Sequence, residues 1–488
     1  MFKLCLFLTA FLTATPAFCE DFPVERLNGK KIGVQLGTTG DMLVSDMKNV
    51  TAERYNKTGD ALQSLLNGKI DFVIDDEQPA KAFVAKNKAL TILPEILSDE
   101  EYAIAVKKSN RTLKKQIDDA LTELKERGVL DEIVKNHIGP ESGKHPTRFA
   151  DAATLTNGVL TAATNATYPP YEYFRDNRIV GIDIDIIRSV AERLGKKLRL
   201  VDMEFDAIIP SVQSGKVDVG ISAISVTPDR LKNVAFSVPY THSRQVVVVL
   251  NGSDEALKTS FSLKREVKDA FVTDGRWRYL AKGLENTLLM AFFSAILGFA
   301  CGTLMALARV FHDKEGAFPI LNAFVRLYLA LMRGTPLMIQ LLLMYYVVFA
   351  AVDINKIVVA VLCFGLNSAA YVAEIVRAGI FAVDNGQFEA ARSLGFNSFQ
   401  AMRFVVFPQA LKNVLPALAN EFVSLVKETS ICGYIGLLDL TRGGDIIRSV
   451  TYDAVLPLGA VALIYLVLVS GLTGAIRVLE QRMKKNER

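Results

Sequence analysis

Histidine is nearly missing from this chain, with 4 in 488 residues, and only 1 tryptophan and 5 cysteines accompany them. Cys5 and Cys19 lie near the N-terminus, while Cys301, Cys363 and Cys432 lie in or beside apolar runs. The stretch from Glu20 to Lys282 therefore holds none, which excludes a disulfide framework or a zinc cluster there. An excess of one charge is also lacking. The 56 Lys and Arg against 52 Asp and Glu leave a net +4, and no long basic run occurs, so nucleic acid is not an expected partner. No GxxxxGK[ST] phosphate-cradling loop is present; the closest string, ESGKHPT from Glu141 to Thr147, has the wrong residues after its lysine. The chain is not itself expected to be an ATPase, nor an enzyme of another kind.

What is present is a mixture. Hydrophobic residues make up 50% of the chain while charged residues reach 22%, which suggests soluble and membrane parts joined in one polypeptide. Residues 1–19 read as a secretory signal peptide: Lys3, an apolar run from Leu4 to Leu12, then the small residues Thr15 and Ala17 at cleavage spacing. Ala17-Phe18-Cys19 has the outline of a lipoprotein site, but Phe18 is large for the position before the cysteine, so removal of the leader is expected. The domain that follows is then exported.

From Leu27 to Gly139 strand-like and helical patterns alternate. KIGVQL and KIDFVID read as strands, TGDALQSLLNG as a helix stopped by Gly68, and Leu113–Gly128 as an amphipathic helix with a glycine stop. Residues 140–153 form a polar linker. A second α/β stretch, 154–250, opens with VLTAATNATYPPYEYF, continues through DIDIIRSVAERLG and FDAIIPSVQSGKVDVGISAISVTPDR, and ends in the strand Gln245–Leu250.

Together these two stretches resemble the family 3 extracellular solute-binding proteins of ABC importers, two-lobed α/β domains of the Venus-flytrap type. The order is unusual. In that family the ATYPPYEY and VTPDR pieces come first, the GKKIGVQLGTTG and GKIDFVIDDE pieces follow, and a helical part closes the first lobe. Here residues 20–139 carry lobe 2 and the C-terminal part of lobe 1, and 154–250 carry the N-terminal part of lobe 1. Each piece occurs once, which implies one circularly permuted domain; two truncated halves are the alternative. On the permuted reading the cut falls at a hinge crossing, leaving the crossing near Glu101 to Lys107 as the single covalent link between lobes.

A zwitterionic amino acid needs a cation and neutral donors for its carboxylate, and an anion for its ammonium. Arg230 suits the first task, because its planar fork makes two parallel charge-assisted bonds. The resemblance implies the rest. Ser222, Ala223 and Ser225 would form the carboxylate-binding loop, with Thr38 as a donor from lobe 2. Asp76 would take the ammonium, and Tyr168 and Phe205 would sandwich the ligand's stem. Asn165 stands where many relatives carry an acidic residue, so Glu172 or Glu204 would have to supply charge for a cationic side chain. On composition alone, Arg230 and the run Asp75-Asp76-Glu77 also fit ordinary surface charges. The ligand class is a polar amino acid of open identity.

Residues 251–282 read as a tether and interfacial helix, with Trp277 and Tyr279 suited to the headgroup level. From 283 to 488 an all-α membrane domain of five spans is expected, at Leu284–Ala308, Leu337–Val352, Ile357–Ile380, Phe404–Leu425 and Val455–Ile476. The second is short, with Asn322–Met332 leading into it across Arg333-Gly334-Thr335-Pro336. Five crossings from an exported domain leave the C-terminus inside, which agrees with the basic tail and with Arg309, Lys314, Arg392 and Arg403. Asn367, Glu374, Arg377, Asn413, Asn420 and Glu421 are polar within the spans. Glu374 and Arg377 share a helical face and either pair with each other or contact substrate.

Between the third and fourth spans lies Asp384–Pro408. Asp384 with Gln387 fits a helix-start pair, Gly395 a helix stop, and Asn397 or Ser398 the next cap. The spelling Glu389-Ala390-Ala391, three residues, Gly395, nine residues, Val405, then Pro408, resembles the EAA loop of type I ABC-importer permeases. It implies that Glu389, Ala390, Ala391 and Gly395 dock a separate cytosolic ATPase homodimer, which binds ATP and Mg while this chain holds no cofactor. The expected whole is a receptor–permease subunit in the bacterial inner membrane. It would pair with a second permease, an identical copy, and import a polar amino acid. A ligand-gated channel or amino-acid sensor carrying a flytrap domain is the competing reading, although neither a re-entrant filter nor a flytrap split by spans is visible. A remnant that binds without transporting is a third.

Overall fold

A computed structural model describes residues 24–139, 142–144, 149, 154–176, 178–251, 263–350, 352, 354–451 and 453–485. The expected signal peptide, most of the linker and the first part of the tether lie outside the described residues. The chain forms two compact units, Met1–Gly275 with Ile446–Ala454, and Arg276–Asp445 with Val455–Arg488.

The first unit contains two five-stranded sheets. The chain lays down β1 (Lys31–Gln35), β2 (Thr51–Tyr55), β3 (Phe72–Asp76) and the long β4 (Leu90–Tyr102), then crosses to β5 (Ala105–Val106). After two helices, Arg111–Glu126 and Val129–His137, come β6 (Val159–Thr164) and a small sheet of β7 (Thr167–Tyr168), β8 (Glu172–Arg175) and β9 (Arg178–Val180). Then follow β10 (Lys197–Asp202), β11 (Val219–Gly220), β12 (Ala235–Phe236) and β13 (Thr241–Leu250). One lobe has the order β2-β1-β3-β13-β4 and the other β10-β6-β11-β5-β12, so each sheet takes strands from both halves of the domain sequence.

The short apolar runs become strands covered on both faces. Val73, Val246 and Val248 point into one core with Leu62, Leu65 and Phe83, whereas Ile74 and Val247 point into the other with Ile32 and Val34. That alternation is the period-2 pattern of a strand read against two helical layers. In the second lobe Ile117 and Leu121 of the amphipathic helix pack on Ile186, Ile187 and Val219.

The lobe connection differs from the sequence expectation. The strand expected at Gln245 begins at Thr241 and pairs antiparallel with both β4 and β3, from Thr241↔Tyr102 to Leu250↔Leu90 along β4. Residues 241–250 therefore belong to the lobe that carries Asp76, not to the lobe of Arg230. Two covalent crossings result, β4 to β5 and β12 to β13, rather than one. The physical reason is pairing: the run Val246-Val247-Val248 is buried at 3%, 0% and 0% exposure, which only an inner position between two strands supplies.

The second unit is helical. Trp277–Glu315 is one helix of 39 residues, so the stretch expected as a separate interfacial helix is continuous with the first span. By length and apolarity Trp277–Lys314, Lys356–Phe381 and Val455–Val478 could cross a membrane. A fourth crossing is possible if Pro319–Gly334 and Leu337–Val348, bent by 106° at Arg333-Gly334-Thr335-Pro336, form a single broken span. The expected fourth span forms the helix Phe407–Glu428, but with Pro416 and the polar Lys412, Asn413, Asn420 and Glu421 it does not reach that apolarity. Among the described residues three helices, or four with the bent pair, meet that measure of length and apolarity, against the five spans expected. The first and third expected spans approach closely through small residues; a Cβ at Gly302 would stand 2.7 Å from the Ala369 carbonyl oxygen.

Gly181 sits at φ +136°, and a Cβ there would lie 2.0 Å from the Tyr171 carbonyl oxygen. Gly181→Ala is expected to destabilise the binding unit by about 2 kcal/mol or more, read as a lower thermal unfolding midpoint. An unchanged midpoint would show that the Tyr171 backbone moves aside freely.

Candidate ligand-binding site and exposed loop

The ends of strands and short turns bring the candidate residues together. Thr38 caps the helix Thr39–Asp46, its hydroxyl accepting from Asp41 N at 3.3 Å. Asp76 ends β3, and Tyr168 ends β7. Phe205 starts a one-turn 3₁₀ helix. Ala223 takes φ +47°, turning the backbone between Ser222 and Ser225. Arg230 lies in the turn Pro228–Leu231, whose first residue is proline and whose cap is Thr227.

These positions converge on one narrow cavity of about 20 Å³. Thr38, Asp76, Asn165, Tyr168, Phe205, Ser222, Ala223, Ser225 and Arg230 all line it. So do Gln35, Thr39 and Glu172, whereas Glu204 is not among the lining residues. Gln35 and Thr39 escaped sequence reasoning, although Thr39 lies within the GTTG turn and Gln35 two residues before it, so both could have been found from it.

Arg230 is 6% exposed and donates to the Ser225 carbonyl at 2.7 Å and to the Gly37 carbonyl of the other lobe at 2.9 Å. Its guanidinium stands 5.5 Å from the Phe205 ring centre. Burial pulls its pKa down, opposed by the Glu100 and Asp76 carboxylates. Asp76 accepts from the Tyr168 hydroxyl at 2.7 Å and from the Gln245 amide. Among the described residues no ion pair reaches it. Burial therefore raises its pKa well above the carboxylate range, reinforced by Glu100 and Asp75. Asp75, which accepts from Tyr168 at 2.8 Å and Thr58 at 3.3 Å, is pushed up to about 7 by burial.

Beneath the cavity Glu172 is 0% exposed and accepts from the Ser222 hydroxyl at 2.6 Å. Burial, then the neighbouring Asp183 charge, raises it. Asp183 accepts from Ala223 N at 2.6 Å and the Tyr240 hydroxyl at 2.8 Å, and burial pushes it up to about 6. Asn165 is committed at both ends, donating to the Met203 carbonyl at 2.8 Å and accepting from Thr167 at 2.8 Å. It shapes the wall without carrying charge. The arrangement offers a buried cation on one lobe and a buried carboxylate on the other, with aromatic faces between them.

In the helical unit, the candidate docking stretch is a helix, Asn385–Ser393, capped by Asp384 through Gly386 N at 2.7 Å. The reciprocal bond from Gln387 is not formed; the capping box is at Asn397 and Gln400 of the next turn. Gly395 takes φ +91° with no atom within 4 Å of its would-be Cβ. Glu389, Ala390 and Gly395 are exposed, but Ala391 is buried at 2%, so it packs on its own chain and cannot meet a partner. Leu394, 80% exposed, was not anticipated on this surface. Glu374 accepts from Arg377 at 3.2 Å and also from Arg309, an ion cluster rather than an isolated pair.

Comparison with known proteins decides what these two units are. The bacterial extracellular solute-binding proteins, family 3, match residues 160–429, more than half of the chain. A putative glutamine transport system permease protein of Rickettsia felis is 36% identical over 210 residues, 43% of this chain and 94% of that protein. The chain belongs to both families. The arginine transport system permease protein of Bacillus subtilis is 37% identical over 211 residues, 43% of this chain and 94% of that relative. Among solved structures, a chain from an amino acid ABC transporter with histidines is 38% identical and covered in full, over 46% of this chain, with a TM-score of 0.41. The solute-binding match opens at Leu160, at the head of β6, rather than at Leu27. The polypeptide is an amino-acid transport permease fused to a solute-binding domain.

The cavity acids make ligand-free stability depend on pH. Asp75 moves from 3.8 to about 7 on folding, so the folded state holds its proton more tightly than the unfolded one. Its contribution is complete below about pH 4 and lost as pH rises through about 7. Asp76 and Glu172, also raised by burial, act in the same direction. The unfolding midpoint of the ligand-free chain is expected to fall between about pH 5 and pH 8, and a saturating amino acid to reduce that fall. A flat profile would mean these acids ionise in the fold at no cost.

Proposed function

We propose that this chain is the receptor–permease subunit of an importer that captures a polar amino acid outside the cell and passes it across the bacterial plasma membrane. The observation that carries this reading is the shared cavity, which Arg230 of one lobe and the acid Asp76 of the other both line. An amino acid bridging them favours closure, because it gains the second set of bonds only when the lobes meet. Relatives named for glutamine, arginine and cystine transport support the amino-acid class. The domain is circularly permuted: the solute-binding match opening at β6, and β1 to β4 sharing a sheet with β13, support that order.

Glu389, Ala390 and Gly395 dock a cytosolic ATPase homodimer, and ATP and Mg are bound there. The second permease is an identical copy of this chain, in keeping with the preference of membrane and soluble assemblies alike for closed symmetry. The solute-binding domain faces the periplasm.

Titration of the purified full chain with the common amino acids should show one or more polar ligands binding. Arg230→Ala and Asp76→Ala should each weaken that binding by more than about tenfold. A folded chain that binds no amino acid refutes the reading. With the ATPase reconstituted, Glu389→Ala and Gly395→Val should reduce ATP-driven uptake by about tenfold while leaving ligand affinity unchanged; normal uptake in both would remove the docking role.

A further inference from the structure

Glu100 lies on β4, just before the chain crosses between lobes. Its Oε2 accepts the Thr39 hydroxyl at 2.7 Å from its own lobe and the Ser225 hydroxyl from the opposite lobe, while Oε1 accepts from Ser98 at 3.0 Å. Thr39 and Ser225 both line the cavity. The hydroxyl that an amino-acid carboxylate would take from Ser225 is thus already engaged by a carboxylate fixed in the chain.

The charge balance follows. Arg230 is the one cation among the lining residues, against Asp76 and Glu172 in the wall, with Glu100 and Asp75 hydrogen-bonded to wall side chains. A neutral zwitterion brings one carboxylate for Arg230 and one ammonium for Asp76 and leaves the surplus of acid unchanged. A ligand with a cationic side chain brings one more positive charge into the same buried space, where an uncompensated carboxylate is costly. The Glu100 carboxylate is close enough to both Arg230 and Asp76 to act on each of them.

We propose that Glu100 is a specificity-determining residue: its carboxylate, bridging Thr39 and Ser225 beside Arg230, biases the site toward amino acids with a cationic side chain and against neutral and acidic ones. This rests on the amino-acid-binding reading above and deepens it. Glutamine is nearly isosteric with glutamate and its Oε1 still accepts from both hydroxyls, so E100Q removes the charge and keeps the bridge.

The test is calorimetric titration of the full chain with L-arginine and with L-citrulline, which matches arginine in shape but is neutral. Wild type should bind arginine at least about tenfold more tightly, and E100Q should shrink that ratio by about fivefold or more, mainly through tighter citrulline binding. An unchanged ratio in a folded E100Q chain overturns the proposal. So does a wild type that binds citrulline as well as arginine, whatever the variant does. Failure of the wild type to bind any amino acid would instead overturn the binding reading on which this one stands.

Discussion

Taking a carboxylate out of water without a counter-cation is among the costlier things a fold can do, and this domain does it repeatedly around one cavity. Asp75, Asp76, Glu172 and Asp183 are all buried. What offsets the cost is a set of neutral donors: the Tyr168 hydroxyl shared by Asp75 and Asp76, Thr58, Gln245, Ser222, Tyr240 and Ala223 N. Neutral donors satisfy lone pairs but do not cancel charge, so burial raises the pKa of all four. Tyr168 and Asp76 sit on different lobes, so the same bonds that soften the burial also hold the lobes together.

That coupling needs a hinge that fixes where the lobes meet. The two crossings lie side by side: β4 pairs with β13 at Tyr102↔Thr241, Tyr240 N donates to the Tyr102 carbonyl at 2.9 Å, and Tyr102 bridges to Ser225. A ladder of this kind lets the lobes rotate as bodies while the strand ends carrying Glu100, Ser225 and Asp76 keep their local geometry. The same geometry suits the permuted order proposed above. The break lies beyond the far end of β13 and before β1, away from the hinge, so neither crossing is lost. Exposed connectors at that distance from the site are where such rearrangements cost least.

Much of the fold was legible because period-2 apolar runs and glycine-stopped amphipathic helices have few other uses. The cavity was legible for a different reason: Arg230, Asp76, Tyr168 and Phe205 each supply a chemistry that an amino acid demands, and the family spelling fixed which copies to choose. The unread parts share a cause. Val246-Val247-Val248 is apolar on both faces whether a strand joins one sheet or another, so sequence pattern does not assign its lobe. Glu100 sits in the acidic run Asp99-Glu100-Glu101, where neighbours of the same charge conceal which carboxylate turns inward. Ala390 and Ala391 look interchangeable in the loop, and only helix phase separates the exposed alanine from the buried one. The helix Phe407–Glu428 kept enough Phe, Leu and Val to suggest a span, yet its lysine, glutamate and asparagines bring its mean hydropathy below that of its neighbours.

Fusion changes the energetics of transport in a way that a free receptor does not share. A soluble receptor must find its permease by diffusion, and their association bears the translational and rotational cost of a bimolecular encounter. Here β13, which pairs directly with the Asp76 strand, is followed by the 39-residue helix that opens the helical unit. Receptor and permease meet at an effective concentration set by covalent linkage and not by expression level.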